Sequence, residues 1–127
     1  MKIAHVALWT RNLNAQKSFW QEFFAGKSNE IYVSKNRPGF RSHFISLHEG
    51  PTIELMSLND LDSGPNGKEL TGWAHIAINV GSRDEVDLMV AKATQLGILV
   101  SPARTTGDGF YEAIIRDPDG NLVEIVG

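Results

Sequence analysis

Four residues of this 127-residue chain are of types that hold metal ions and move protons: His5, Glu54, His75 and Glu124. Each Glu follows its His by 49 residues, and the second pair follows the first by 70. A carboxylate inside an apolar run such as Thr52-Ile-Glu-Leu-Met56 is costly to bury unless it is paired or ligates a cation. Two imidazoles and two carboxylates, with positions left open for water, suit a divalent ion such as Ni, Co, Zn, Fe or Mn, and ligand type does not choose among them. Taken singly, a strand His is most often a core or surface residue, and a strand Glu faces solvent. The shared offset is what joins the four.

That offset extends along the chain. Sliding the sequence on itself by 70 residues gives eight identities: Ala4/Ala74, His5/His75, Ala7/Ala77, Gly39/Gly109, Phe40/Phe110, Ile45/Ile115, Gly50/Gly120 and Glu54/Glu124. Ordinary composition gives about three or four by chance. The matches cluster at the two ends and have conservative flanks, Val6/Ile76, Leu8/Ile78, Ile53/Val123 and Leu55/Ile125. The chain therefore reads as a duplication, with one module over about 1–57, a linker over 58–72 and a second module over about 73–127.

The elements that must position the four residues follow from pattern. Lys2–Leu8 and Trp73–Val80 are short, β-branched and apolar, and read as strands. Ser82-Arg-Asp-Glu85 has the form of a capping box, Val86, Met89, Val90, Ala93 and Leu96 recur at helical spacing, and Gly97 supplies a stop. In the first module Asn14 is the expected cap, Phe19, Trp20, Phe23 and Phe24 form the apolar stripe, and Gly26 ends the helix. Further strands are expected over Ile31–Ser34, Arg41–Leu47 and Thr52–Ser57, and over Leu99–Ser101, Tyr111–Arg116 and Leu122–Val126. Asp117-Pro-Asp-Gly120 marks a turn between the last two. The fold class is thus α+β, with two βαβββ modules expected to form a curved mixed sheet with helices outside. Alternation puts His5 on one face with Ala7 and Trp9, Glu54 with Thr52 and Met56, and Glu124 with Leu122 and Val126.

Other residues carry weaker signals. Trp9, Phe40, Phe110 and Tyr111 could wall an apolar pocket, although core packing is the commoner fate of aromatics. Arg11, Arg37, Arg41 and Arg104 have the donor geometry for a substrate carboxylate. Arg37 and Arg104 read first as solvated surface residues. His43 and His48 face Ala113 and Pro118 at the offset, and read as structural or surface residues. There is no phosphate-binding glycine loop and no nucleophilic serine motif.

Composition removes several classes of function. Twelve basic and fifteen acidic residues leave a net charge of −3 with no Lys/Arg block, which argues against a nucleic acid or a membrane as partner. The absence of cysteine excludes disulfides, thiolate metal sites and a Cys nucleophile, and agrees with a reducing compartment. The N-terminal residues lack the form of a signal peptide, and no apolar run approaches a bilayer span. A cytoplasmic protein with a small-molecule substrate is expected.

The motifs carry a family resemblance. Ala-His75-Ile-Ala with Asp117-Pro-Asp-Gly-Asn-Leu-Val-Glu124-Ile resembles the second module of the vicinal oxygen chelate (glyoxalase) superfamily, and Ala-His5-Val-Ala-Leu with Thr-Ile-Glu54-Leu-Met resembles its first. The order His5, Glu54, His75, Glu124 is similar to that of bacterial glyoxalase I. Thiol transferases and extradiol dioxygenases of the superfamily use two His and one Glu, and its epimerases place a Gln where Glu54 stands. The resemblance implies a glyoxalase-type isomerase or lyase acting on a 2-oxoaldehyde hemithioacetal through an enediolate stabilised by the metal. It implies Glu124 as the proton carrier, Glu54 as partner or alternate base, all four residues as ligands, and a homodimer. Thiol transfer, epimerisation, dioxygenation and non-catalytic small-molecule binding are the competing readings. Two departures bear on the thiol: Trp9 stands where glyoxalase I enzymes commonly carry an Arg, and Leu58 where they often carry an Asn.

Overall fold

A computed structural model describes residues 1–62, 71–107 and 109–127. The chain divides into two compact units, Met1–Gly64 and Pro65–Gly127. Much of the segment read as a linker, residues 63–70, lies outside the described residues.

The first unit runs β1 (His5–Trp9), α1 (Leu13–Phe24), β2 (Lys27–Ser28), β3 (Tyr32–Val33), β4 (Arg41–Ser46) and β5 (Thr52–Ser57). Its sheet has the order β1-β5-β4-β2, with β3 also pairing β4. β1 and β5 are parallel, and the remaining pairs are antiparallel. The second unit runs β6 (His75–Asn79), α2 (Arg83–Leu96), β7 (Leu99–Thr105), β8 (Tyr111–Arg116) and β9 (Leu122–Val126), in the order β6-β9-β8-β7. The described strands thus form two mixed sheets, one in each unit. The α+β class and the βαβββ plan agree with the sequence reading, and the 70-residue offset holds in the register. His5 faces Thr52 and Ala7 faces Glu54, as His75 faces Leu122 and Ala77 faces Glu124.

Local chemistry explains where the boundaries differ from expectation. β1 begins at His5 rather than Lys2 because its partner strand starts at Thr52, just after Pro51, which has no N–H to give the ladder. The cap of α1 is Asn12 rather than Asn14. Its Oδ1 accepts from the Ala15 N–H at 3.0 Å, and the helix then starts on the first buried apolar residue, Leu13. The stripe that α1 buries is Leu13, Gln16, Trp20 and Phe23, with Trp20 Nε1 donating to Gln16 Oε1 at 3.1 Å. Phe19 and Phe24 are half-buried at its margin. The left-handed residue ending α1 is Ala25, at φ 54°. Gly26 is needed for closeness instead, since a Cβ there would stand 2.6 Å from Ile45 Cγ2.

The expected second strand of the first module is in two pieces. β2 pairs with Ile45 and Ser46, and β3 with Arg41 and Ser42. Asn29 bridges the gap, its N–H donating to Phe44 O at 3.1 Å and its Oδ1 accepting from Phe44 N at 2.7 Å. In the second module one longer strand, β7, runs through Pro102 with two register shifts. Ser82 caps α2 by accepting from Glu85 N at 3.2 Å, and Gly97 ends it at φ 70°.

Each helix packs on one face of its sheet. Trp20, Ile45, Ile53 and Leu55 are buried in the first unit, and Val86, Ala93, Ile115, Val123 and Ile125 in the second. Each large side chain so removed from water contributes about 1.5–3 kcal/mol. The face of each sheet turned away from its own helix carries His5 and Glu54, or His75 and Glu124. Among the described residues no helix is long and apolar enough to cross a membrane.

Candidate functional site

Each unit brings one His and one Glu together. His5 Nε2 lies 3.8 Å from Glu54 Oε2, and His75 Nε2 lies 3.6 Å from Glu124 Oε2. The geometry follows from parallel pairing, which sets each Glu opposite the Ala two residues beyond the His on the same face. The imidazoles are open to solvent, at 48% and 41% side-chain exposure, while the carboxylates sit deeper, at 16% and 14%. The edge of the His5 ring meets Phe44 in a T-shaped contact at 5.7 Å, and Phe44 is also the residue opposite Glu54 on β4. In the second unit Ile114 takes that place.

The donor atoms fit a divalent cation. Bonds of ~2.1 Å from one ion to a nitrogen and an oxygen span separations of up to ~4.2 Å, which includes both pairs. The donors are the borderline and hard ligands that such ions prefer. Among the described residues no group of three or more His, Asp or Glu side chains is assembled for a metal. Each unit by itself brings one nitrogen and one oxygen donor together.

The turn between β8 and β9 holds the second His–Glu pair in register. Asp117, which is buried, accepts from Asp119 N and Asn121 N at 2.9 Å each through Oδ1, and from Asn121 Nδ2 at 2.8 Å through Oδ2. Gly120, at φ 84°, donates its N–H to Asp117 O at 3.0 Å. The sequence showed the turn through its Pro and Gly. The role of the Asp117 carboxylate was signalled by the Asx pattern of the same motif.

The remaining candidates separate. His43 is buried on the helix side of the first sheet, where Nδ1 donates to Asn29 O at 3.1 Å, and His48 is exposed. Arg11 donates from Nε to Leu61 O at 2.6 Å. With Arg41 it lines a cavity of about 600 Å³ that also holds Asp60 and Asp62, so the charges there offset, and neither His5 nor Glu54 lines it. Arg104 is the exposed surface residue expected, and it reaches Glu112 at 3.5 Å. Arg37 Cζ lies over Trp9 and Phe40, 5.5 and 5.6 Å from their ring centroids. Tyr111 turns toward α2 and donates to Asp87 Oδ1 at 2.7 Å, which raises its phenol above the ordinary value of 10.0. It does not wall the site.

Comparison with known proteins supports this arrangement of elements. The family model of the Glyoxalase/Bleomycin resistance protein/Dioxygenase superfamily matches residues 2–125. A glyoxalase/bleomycin resistance protein/dioxygenase domain from Frankia sp. EAN1pec is similar in structure at a TM-score of 0.84 and 17% identity, covering 99% of this chain and 90% of its own. The trypanothione-dependent glyoxalase I of Leishmania major gives 0.76 and 19%, covering 100% and 86%. A lactoylglutathione lyase from Agrobacterium tumefaciens gives 0.66 and 24%, covering 98% and 91%. No curated protein sequence matches the chain significantly.

Proposed function

This chain belongs to the glyoxalase/bleomycin resistance protein/dioxygenase superfamily, and on that premise we propose that it is a metal-dependent isomerase or lyase of the glyoxalase type. Its substrate is a small molecule with adjacent oxygens, such as the hemithioacetal of a 2-oxoaldehyde. The observation that carries this reading is the pair of His–Glu half-sites in matched registers, with the donor atoms of each within 3.8 Å. In this reading His5, Glu54, His75 and Glu124 would hold one divalent cation, with the two modules drawn from one chain or from two chains of a homodimer.

When bound, the cation supplies positive charge to two neighbouring substrate oxygens, which stabilises negative charge as it develops there. His5 and His75 act as neutral Nε2 donors, and the Phe44 contact helps to fix the orientation of His5. Glu124 takes the proton from the carbon bearing the thiol sulfur and delivers it to the adjacent carbon. One C–H bond breaks and another forms, and the hydroxyl proton of the thiol-bearing carbon passes to the oxygen on its neighbour, so the product is the thioester of a 2-hydroxy acid with no net change in atoms. Glu54 is the partner carboxylate or alternate base. The low exposure of the Glu124 carboxylate, 14%, supports this role.

The test has two parts. Metal analysis after reconstitution is expected to find one cation for each set of four ligands in the wild type, and markedly less in His5→Ala and Glu124→Gln. Equal, near-zero content in all three would end the metal reading. Methylglyoxal hemithioacetals of several thiols, assayed with Ni, Co, Zn and Mn, are expected to turn over with at least one thiol–metal pair. No turnover with any pair would leave thiol transfer, epimerisation, dioxygenation or plain ligand binding as the function.

A further inference from the structure

One row of side chains lies beside the first half-site on the same open sheet face. It crosses four strands: Trp9 on β1 faces Met56 on β5, Met56 faces Ser42 on β4, and Ser42 faces Tyr32 on β3. The next row on that face is Ala7, Glu54 and Phe44. The two rows are one side-chain repeat apart, or ~7 Å. Trp9 and Tyr32 are both exposed, and Phe40 joins them, 6.1 Å from Trp9 and 6.3 Å from Tyr32 in edge-on contacts.

Arg37 lies over this surface, with its Cζ 5.5 Å from the Trp9 ring centroid and 5.6 Å from that of Phe40. Among the described residues its guanidinium has no carboxylate within ion-pair distance. The loop that presents it is tied in place. Arg37 N donates to Ser34 Oγ at 3.0 Å, Phe40 N to Arg37 O at 3.1 Å, and Ser34 N to Phe40 O at 3.0 Å. A cation–π contact neutralises no charge and uses none of the five N–H donors fully, so the guanidinium can still take an anion. Beneath, the Ser42 hydroxyl is buried without a hydrogen-bond partner, a deficit that folded chains seldom leave.

The matching row of the second module shows that this arrangement is not a by-product of the fold. There Asn79 faces Val126, Val126 faces Glu112, and Glu112 faces Arg104. The cation of that row is already answered by its own carboxylate, at 3.5 Å. The first module carries aromatic surface and an unanswered cation instead.

We infer that the substrate taken at the proposed site extends beyond its chelating oxygens as a flat apolar segment ending in an anionic group. The segment lies on Trp9 and Phe40, and the Arg37 guanidinium holds the anion. The inference rests on the function proposed above for the placement of the chelating end, while the clamp itself is a binding surface of the first unit.

The test separates the two. In a Trp73→Phe background, Trp20 is buried and Trp9 is the exposed fluorophore. Metal-free protein is titrated with 4-(methylthio)benzoate and with its methyl ester. The acid is expected to bind roughly fivefold to tenfold more tightly than the ester. Arg37→Gln is expected to erase that difference, and Trp9→Leu, read by calorimetry, to weaken both ligands. Arg37→Lys, which keeps the charge without the planar stack, is expected to retain part of the preference. Equal affinity for acid and ester, or a preference untouched by Arg37→Gln in a protein with unchanged circular dichroism, overturns the clamp whatever the enzyme turns over. A second arm compares methylglyoxal hemithioacetals of 4-mercaptobenzoate and of glutathione, and the aryl adduct is expected to show the lower KM. If the acid preference and its loss in Arg37→Gln are seen but neither adduct turns over, the clamp stands and the isomerase reading fails.

Discussion

The two modules share a backbone plan and differ in what they hang on it. Both place a His and a Glu on the open sheet face through the same parallel register, 70 residues apart. One pleat further along, the first module carries Trp9, Met56, Ser42 and Tyr32, and the second carries Asn79, Val126, Glu112 and Arg104. The turn before the closing strand also differs. In the second module it is knotted around Asp117, while in the first the matching residues are Leu47-His-Glu-Gly50, with no buried carboxylate at their head. The two modules thus repeat a His–Glu pair in one register, while the first sets aromatic surface beside its pair and the second closes the turn before its Glu with three hydrogen bonds to Asp117.

The largest expected effect tests whether the two carboxylates are equivalent. With metal content matched, Glu124→Gln is expected to lower kcat by roughly 10²–10⁴-fold, the usual scale for removing a positioned acid–base group. Glu54→Gln is expected to cost less, because its module is assigned to recognition. Equal losses would mean that the proton is shared and the asymmetry lies only outside the metal set. A greater loss at Glu54 would reverse the assignment. Steady-state kinetics on the best hemithioacetal, with metal measured on the same samples, decides among these.

How much of this could be read before the structure depends on how local each determinant is. β5, β8 and β9 have the bounds that their alternation predicts, since their patterns are clean and their ends fall at Pro51, Asp117 and Asn121. The repeat of His5 and Glu54 as His75 and Glu124 was legible because identity at a fixed offset survives any uncertainty about register. Asn12 and Asn14 are equally good caps in isolation, and only the burial of Leu13 in the finished core selects the first. Gly26 looked like a helix stop, yet Ala25 takes the left-handed turn and Gly26 makes room for Ile45, a contact no local pattern contains. The row from Trp9 to Tyr32 joins residues from four strands and exists only once the pairing is known. Arg37 looked like any surface cation until a hydrogen-bonded loop set it on two rings.

A smaller effect tests the difference between the two turns. Asp117→Ala removes three hydrogen bonds to a buried carboxylate and leaves Asn121 and Asp119 donors unmatched. It is expected to destabilise the protein by about 2–4 kcal/mol in urea unfolding. Glu49→Ala, in the exposed turn of the first module, is expected to change stability by less than about 0.5 kcal/mol. Comparable losses would show that both turns carry equal weight, and the asymmetric support of the two Glu residues would be wrong.

The smallest effect is a difference in pH response at the offset pair Arg41 and Tyr111. Tyr111 donates to the Asp87 carboxylate, and that hydrogen bond raises its phenol above 10.0, with Arg83 over the ring opposing the shift. The native state therefore prefers the neutral phenol. As pH rises past 10 the unfolded chain loses this proton first, so the stabilisation is intact below that point and is lost as pH climbs through the native value. The matching position of the first module holds Arg41 and so has no phenol. Asp87→Asn is expected to lower the upper tyrosinate absorbance step of the native protein toward the ordinary value and to shrink the alkaline loss of stability. An upper step that does not move in Asp87→Asn would assign the shift to something other than this hydrogen bond, and would remove the pH asymmetry between the modules.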